Sequence, residues 1–210
     1  RFISQRLQLH YNDWGNEGAP PLILVHGGRD HSRSWDWVAE KLRHDYHVIA
    51  PDLRGHGDSA WSPDGNYSME FFVYDLAELI RQLDLNNVTI IAHSLGGNIA
   101  IRYTGLFPET VSKLVAIEGL GPSPAMLAER ESKPMTERLR SWIADKQQAA
   151  RRHPRRYASF AEALARMQAE NTFLHDGQAE HLTRHGLSRN EDGSYSWKFD
   201  NYLNVWPQVD

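Results

Sequence analysis

Cysteine is absent from the 210-residue sequence. Disulfides, thiolate zinc centres and a cysteine nucleophile are thereby excluded, and a reducing compartment, the cytoplasm, is the expectation. Long apolar runs are missing as well. Leu22 to Val25 and Val48 to Ala50 are only strand-sized, whereas a membrane-spanning helix needs ~18 apolar residues. Mean hydropathy is −0.59. Nor is there an excess of positive charge: 23 basic against 27 acidic residues leave a net −4, so no overall field favours nucleic acid or an anionic membrane. The opening residues, Arg1 to Arg6, lack the apolar stretch and small-residue cleavage site of a signal peptide, although residue 1 is not Met. What remains is a chain long enough to bury a core without covalent staples, as one large domain or one domain carrying an insertion.

Up to residue 121, short apolar runs alternate with helical patterns. Leu7, Leu9 and Tyr11 alternate with polar residues, the pattern of a half-buried strand. Leu22 to Val25 reads as a buried strand leaving through the turn His26-Gly27-Gly28. Trp35, Val38, Ala39 and Leu42 keep helical spacing, and Tyr46 to Ala50 is the next strand, stopped by Pro51. Met69, Phe72, Val73, Leu76, Leu79, Ile80 and Leu83 mark one face of a long amphipathic helix. Val88 to Ala92 is the strongest strand, a helix from Leu95 to about Phe107 follows, and Leu114 to Ile117 is a further strand. Strict alternation predicts a parallel sheet with helices on both faces.

Beyond Gly121 the texture changes. Pro122, Pro124 and Pro134 punctuate the entry to long polar helical stretches, with Trp142 and Ile143 on one helix and Ala158, Phe160, Ala163, Leu164 and Met167 on another. Residues 1–121 carry a net −5 and residues 122–206 a net +2. The expected organisation is an α/β core over 1–121, a helical insertion over 122–206 and the start of a return to the core at 207–210.

The sharpest chemical signal is Ala92-His93-Ser94-Leu95-Gly96-Gly97, between the strongest strand and a helix. A serine flanked by small residues two before and two after is what a nucleophile elbow requires, because the turn is too tight for larger flanks. Taken alone, Ser94 also suits an ordinary helix N-cap. It does not stand alone. His26-Gly27-Gly28 leaves an earlier strand where a second donor to an oxyanion is needed; the Gly28 and Leu95 amides are the candidate pair. A third element, Asp52-Leu53-Arg54-Gly55-His56-Gly57-Asp58-Ser59, reads as a structural turn tied by its Asp, Arg and Ser side chains.

In this order and at these distances, the three elements resemble the α/β-hydrolase superfamily across residues 1–121. The resemblance implies a doubly wound, mostly parallel sheet, a helical cap inserted after the strand that ends at Glu118, and a Ser-His-acid triad without cofactor or metal. Serine at the elbow, where aspartate would form an alkyl ester, sets the chain apart from the otherwise similar epoxide hydrolases and haloalkane dehalogenases and suits it to acyl chemistry. Glu118, 24 residues after Ser94, is the candidate acid, the alternative lying beyond Asp210. In the superfamily the histidine base follows the last strand. None of the eleven histidines occupies that place, so the base is expected beyond Asp210, with the C-terminal strands of the sheet missing from this chain. Few histidines remain as substitutes: His26 belongs to the oxyanion turn and His56 to the structural turn, while His153, His175, His181 and His185 fall in the insertion.

Arg29, beside the oxyanion turn, and His93, beside the elbow, are candidates for the substrate pocket. The run Arg151-Arg152-His153-Pro154-Arg155-Arg156 reads as a solvated face. His181 and His185 have the four-residue spacing of a helical metal pair, but no His-Glu-x-x-His motif joins them and Gly186 follows directly, so no metal site is expected. The reading is a hydrolase of small or medium carboxylic esters or related acyl compounds, with a small-molecule partner and no nucleic acid or membrane. A silent ligand-binding relative is the alternative, as is a carbon–carbon bond hydrolase, lactonase or perhydrolase on the same scaffold. Oligomeric state is left open.

Overall fold

The computed structural model of the chain describes residues 1–205; the expected return to the core at 207–210 lies outside them. Strands β1 (Phe2–Ser4) and β2 (Leu7–Leu9) form an antiparallel hairpin. Strand β3 (Tyr11–Asp13) then joins a different sheet. The single strand expected over Leu7 to Tyr11 is therefore broken at His10, whose backbone N–H goes to Ser59 Oγ (2.8 Å) and whose carbonyl accepts from Asp52 N (2.9 Å).

The central sheet continues with β4 (Pro21–Val25) and β5 (His47–Pro51), linked through a 3-10 turn (Ser32–Trp35) and helix α1 (Asp36–Leu42). Helix α2 (Met69–Gln82) leads to β6 (Val88–His93), and α3 (Leu95–Leu106) to β7 (Val111–Ile117). The strand order is β3-β5-β4-β6-β7, parallel throughout except for β3. Side chains along a strand alternate between faces, and β4 shows what that achieves. Ile23 and Val25 meet Val73, Leu76 and Ile80 of α2 and Ile99 and Ala100 of α3, while Leu22 and Leu24 meet Trp35 and Ala39 on the other face. This is the doubly wound α/β arrangement expected, with helices on both faces. Strand β7 is an edge among the described residues, and Val115 and Ile117 are each 47% exposed.

The turn after β5 is held as its residue types suggested. Asp52 accepts from Ser32 N (2.7 Å), Asp58 N (2.9 Å) and the His10 ring (2.8 Å), and Ser59 Oγ donates to the Asp52 carbonyl (2.6 Å). Burial alone would raise the Asp52 carboxyl; the His10 contact and the amide donors more than offset it and hold it below the ordinary range. Arg54 reaches into the core and forms two 2.6 Å bonds with Asp75 of α2, both residues being buried.

The later segment contains α4 (Pro124–Ser132), α5 (Met135–Arg151), α6 (Phe160–Glu170) and α7 (Asp176–Gly186), then an antiparallel hairpin of β8 (Leu187–Arg189) and β9 (Tyr195–Trp197). A 3-10 turn (Asn201–Asn204) ends the described chain. The hairpin accounts for the alternation of Tyr195, Trp197 and Phe199. Just after it the chain joins the core turn, with Gly57 N donating to Lys198 O (2.8 Å) and Asp200 N to Gly55 O (3.0 Å).

Candidate active site

Ser94 sits between β6 and α3 at φ 51°, ψ −113°, a conformation that a side-chain-bearing residue adopts only under constraint from its surroundings. Those surroundings are backbone. Ser94 N donates to Ile117 O (3.0 Å), and Ser94 O accepts from Asn98 N (3.1 Å). A methyl group at Gly96 would lie 2.5 Å from Val25 O and 2.6 Å from His26 O, so the smallest residue is required where the elbow passes the end of β4. Gly119 imposes the same demand from the other side: at φ +74° its missing Cβ would fall 1.9 Å from Ser94 O. The sequence reading identified Gly96 but passed over Gly119, whose role depends on β7 lying beside β6.

The Ser94 hydroxyl has no hydrogen-bond partner among the described residues. Gly28, at the end of the turn after β4, lies beside the residue that follows Ser94, its Cβ position 3.9 Å from Leu95 Cδ2. Among the described residues no group accepts from the Gly28 or Leu95 amide. Two unspent N–H groups near a free hydroxyl can hold negative charge that develops on an oxygen. Ser94, Leu95, Gly28, Arg29, His56 and Arg102 line one cavity of about 730 Å³.

Arg29 lines this cavity with its guanidinium carbon 6.0 Å from the centre of the Phe199 ring. His93 is exposed and its Nδ1 packs on Gly27, 2.8 Å from where a Cβ would be; it does not line this cavity. Glu118 follows β7 at φ 66° and is exposed. Its backbone abuts α3, the carbonyl lying 2.7 Å from the Cβ position of Gly97.

None of the histidines weighed as a base bonds Ser94. His26 Nδ1 donates to Gly27 O (2.7 Å) and Nε2 accepts from Leu53 N (3.0 Å), which spends both ring nitrogens. His56 packs edge-on against it at 5.1 Å and donates from Nδ1 to Arg54 O (2.9 Å). Burial lowers both imidazoles, His56 to about 3, so each is neutral at physiological pH. His153 lines a different cavity, His175 caps α7, and His181 and His185 turn toward Arg33 and Asp36.

A model of the α/β-hydrolase fold matches residues 20–203. A serine hydrolase-like protein of Danio rerio is 29% identical over 196 residues, covering 91% of this chain and 58% of its own length. An esterase of Mycobacterium tuberculosis is 30% identical over 203 residues, covering 94% of this chain and 64% of its own length. The chain therefore spans about six-tenths of these relatives. Among solved structures, a hypothetical protein of Pseudomonas aeruginosa superposes with a TM-score of 0.85 at 25% identity, over 100% of this chain and 72% of that one. The family model, which matches most of a chain built on a doubly wound sheet, places this chain in the α/β-hydrolase family.

Proposed function

We propose that this chain carries the nucleophile and the oxyanion donors of a serine hydrolase for small or medium carboxylic esters or related acyl compounds. The observation that carries the reading is Ser94, held at positive φ with a hydroxyl that has no partner among the described residues, lining one cavity with Gly28 and Leu95, whose amides those residues leave unspent. Ser94 Oγ adds to the ester carbonyl while its proton passes to a histidine outside the described residues, and the two amides hold the oxyanion. The carbon–oxygen bond then breaks, and the alcohol leaves with that proton. Water, deprotonated by the same histidine, cleaves the acyl-enzyme to carboxylic acid and free Ser94. Glu118 serves as the acid that orients the histidine and stabilises its charged form. The helical segment after Gly121 acts as a cap over the cavity, and Arg29 contacts polar groups of the substrate. The partner is a small molecule, the setting cytoplasmic; no helix of the described residues is long and apolar enough to cross a membrane.

Intact mass measurement after treatment with a fluorophosphonate tests this. The expected outcome is one phosphonyl adduct per chain, abolished by Ser94→Ala. An adduct that persists in Ser94→Ala overturns the assignment of Ser94. The absence of an adduct on the wild type favours a silent ligand-binding relative, a reading that rests on the missing base beside Ser94.

A further inference from the structure

The histidine pair that the missing motif and Gly186 set aside acquires a third donor in three dimensions. Helix α7 continues to Gly186, so His181 and His185 lie one turn apart on one helical face, their ring centres 4.6 Å apart. Asp36, at the first position of α1, lies opposite them. Its Oδ2 is 3.1 Å from His181 Nε2, and one ligand atom from each of Asp36, His181 and His185 lies within 4.8 Å of the other two. All three residues are half-buried, close enough to water for an ion to enter. Behind them stands His31, its ring centre 6.4 Å from that of His185. It donates from Nε2 to Leu182 O (3.1 Å), which leaves Nδ1 as a buried lone pair without a partner among the described residues.

We propose that Asp36, His181 and His185 bind a divalent transition-metal cation of the zinc or nickel type, which ties α7 to α1. Two imidazoles and a carboxylate suit such ions, whereas magnesium and calcium favour all-oxygen sets. Metal–ligand bonds of about 2.0–2.2 Å place neighbouring donors of a tetrahedral site about 3.3–3.5 Å apart. The His181–Asp36 pair is already near that separation, and His185 closes by side-chain rotation. His31 reinforces the site by anchoring the end of α7 through Leu182. The competing residue is Arg33: its carbonyl lies 3.2 Å from His181 Nε2, and its guanidinium holds Asp36 through Nε (2.9 and 2.8 Å) and Nη2 (2.6 Å). Its side chain is 39% exposed and can turn to water when the ion arrives. The other cluster of this kind, His10, Asp52 and Asp58, is a useful contrast. Its central Asp52 is saturated by amide donors and Asp58 is paired with Lys198 at 2.7 Å, so that cluster is a closed structural knot.

This inference is independent of the hydrolase reading and is tested by binding alone. Titration with zinc chloride in a calorimeter is expected to show one site per chain, with magnesium silent. His181→Ala and His185→Ala are each expected to weaken zinc affinity at least tenfold, and Asp36→Asn by a smaller factor. Cobalt(II) on the wild-type chain is expected to give the visible absorption of a nitrogen–oxygen site, a readout that needs no variant to fold. Zinc bound equally well by the His181→Ala/His185→Ala double variant, no zinc binding by the wild type, or no cobalt spectrum would each overturn the proposal.

Discussion

The two parts of the chain are held together in different ways. In residues 1–121 the strands β4, β5 and β6 supply fully buried Ile23, Leu24, Val48, Ile49, Val88 and Ile90, and the elbow is gripped by backbone on two sides. In the later segment α4 buries no residue, α5 only Ala149 and α6 only Ala163. Apart from the backbone bonds of Lys198 and Asp200 to the core turn and Leu203 in the main core, that segment is moored by single polar contacts: Tyr67 to Asp200 at 2.5 Å, Lys146 to Gly65 O at 2.5 Å, Lys198 to Asp58 at 2.7 Å and His31 to Leu182 O at 3.1 Å. Strain such as that at Ser94 persists only where surrounding structure over-determines it, so Ser94 belongs to the rigid part. The loosely moored helices supply a surface that can move or repack without disturbing it.

The largest test of this contrast compares two arginines. Arg54→Ala leaves Asp75 buried and unpaired, and denaturant unfolding is expected to show a loss of about 3–5 kcal/mol. Arg156→Ala removes an exposed pair with Asp192 in the later segment and is expected to cost less than about 1 kcal/mol. Equal losses would break the distinction between the two parts. A mid-sized effect is expected at the seam. Tyr67→Phe removes the donor to Asp200, a hydrogen bond to a charged group in a buried setting, and should cost about 1.5–3 kcal/mol. Burial, then Asp200, holds the Tyr67 phenol above its ordinary range, so the donor is present at any working pH. Proteolysis should then cut the later segment first, because its moorings are few; cleavage beginning within β4 to β6 would contradict that.

Much of the rigid part was legible because its signals are local. Alternation along β4 and spacing along α2 depend on neighbours within one element, and Ala92-His93-Ser94-Leu95-Gly96-Gly97 announces the elbow within six residues. What escaped depends on pairing across the chain. Gly119 matters because β7 brings it against Ser94 O. His10 splits a strand because Asp52 and Ser59 take its backbone. The proposed metal pair lacked a third donor in the sequence because Asp36 stands 145 residues before His181. The later segment was legible as helix from its spacing, but where it docks was not, since its contacts are isolated side chains without a periodic pattern.

The last effect concerns acid, and it sharpens the same comparison. Burial lowers His56 to about 3 in the folded protein, while the unfolded chain titrates near the ordinary 6.5. Between those values the unfolded state binds a proton that the folded state refuses, so stability rises with pH across the window and is lost as pH falls through it. A single such group contributes a slope of about 1.4 kcal/mol per pH unit. His26 is lowered as well, again by burial, and Asp52, held below its ordinary range, adds to the loss at the acid end of the window. All three lie in the rigid part, around the turns after β4 and β5. Unfolding free energy measured between pH 4 and 6 should therefore fall steeply in the wild type and flatten by one proton's worth in His56→Gln, whose amide does not titrate. His153→Gln, at an exposed histidine of the later segment, should leave the slope unchanged. If His56→Gln kept the wild-type slope, His56 would not be the imidazole that burial holds neutral.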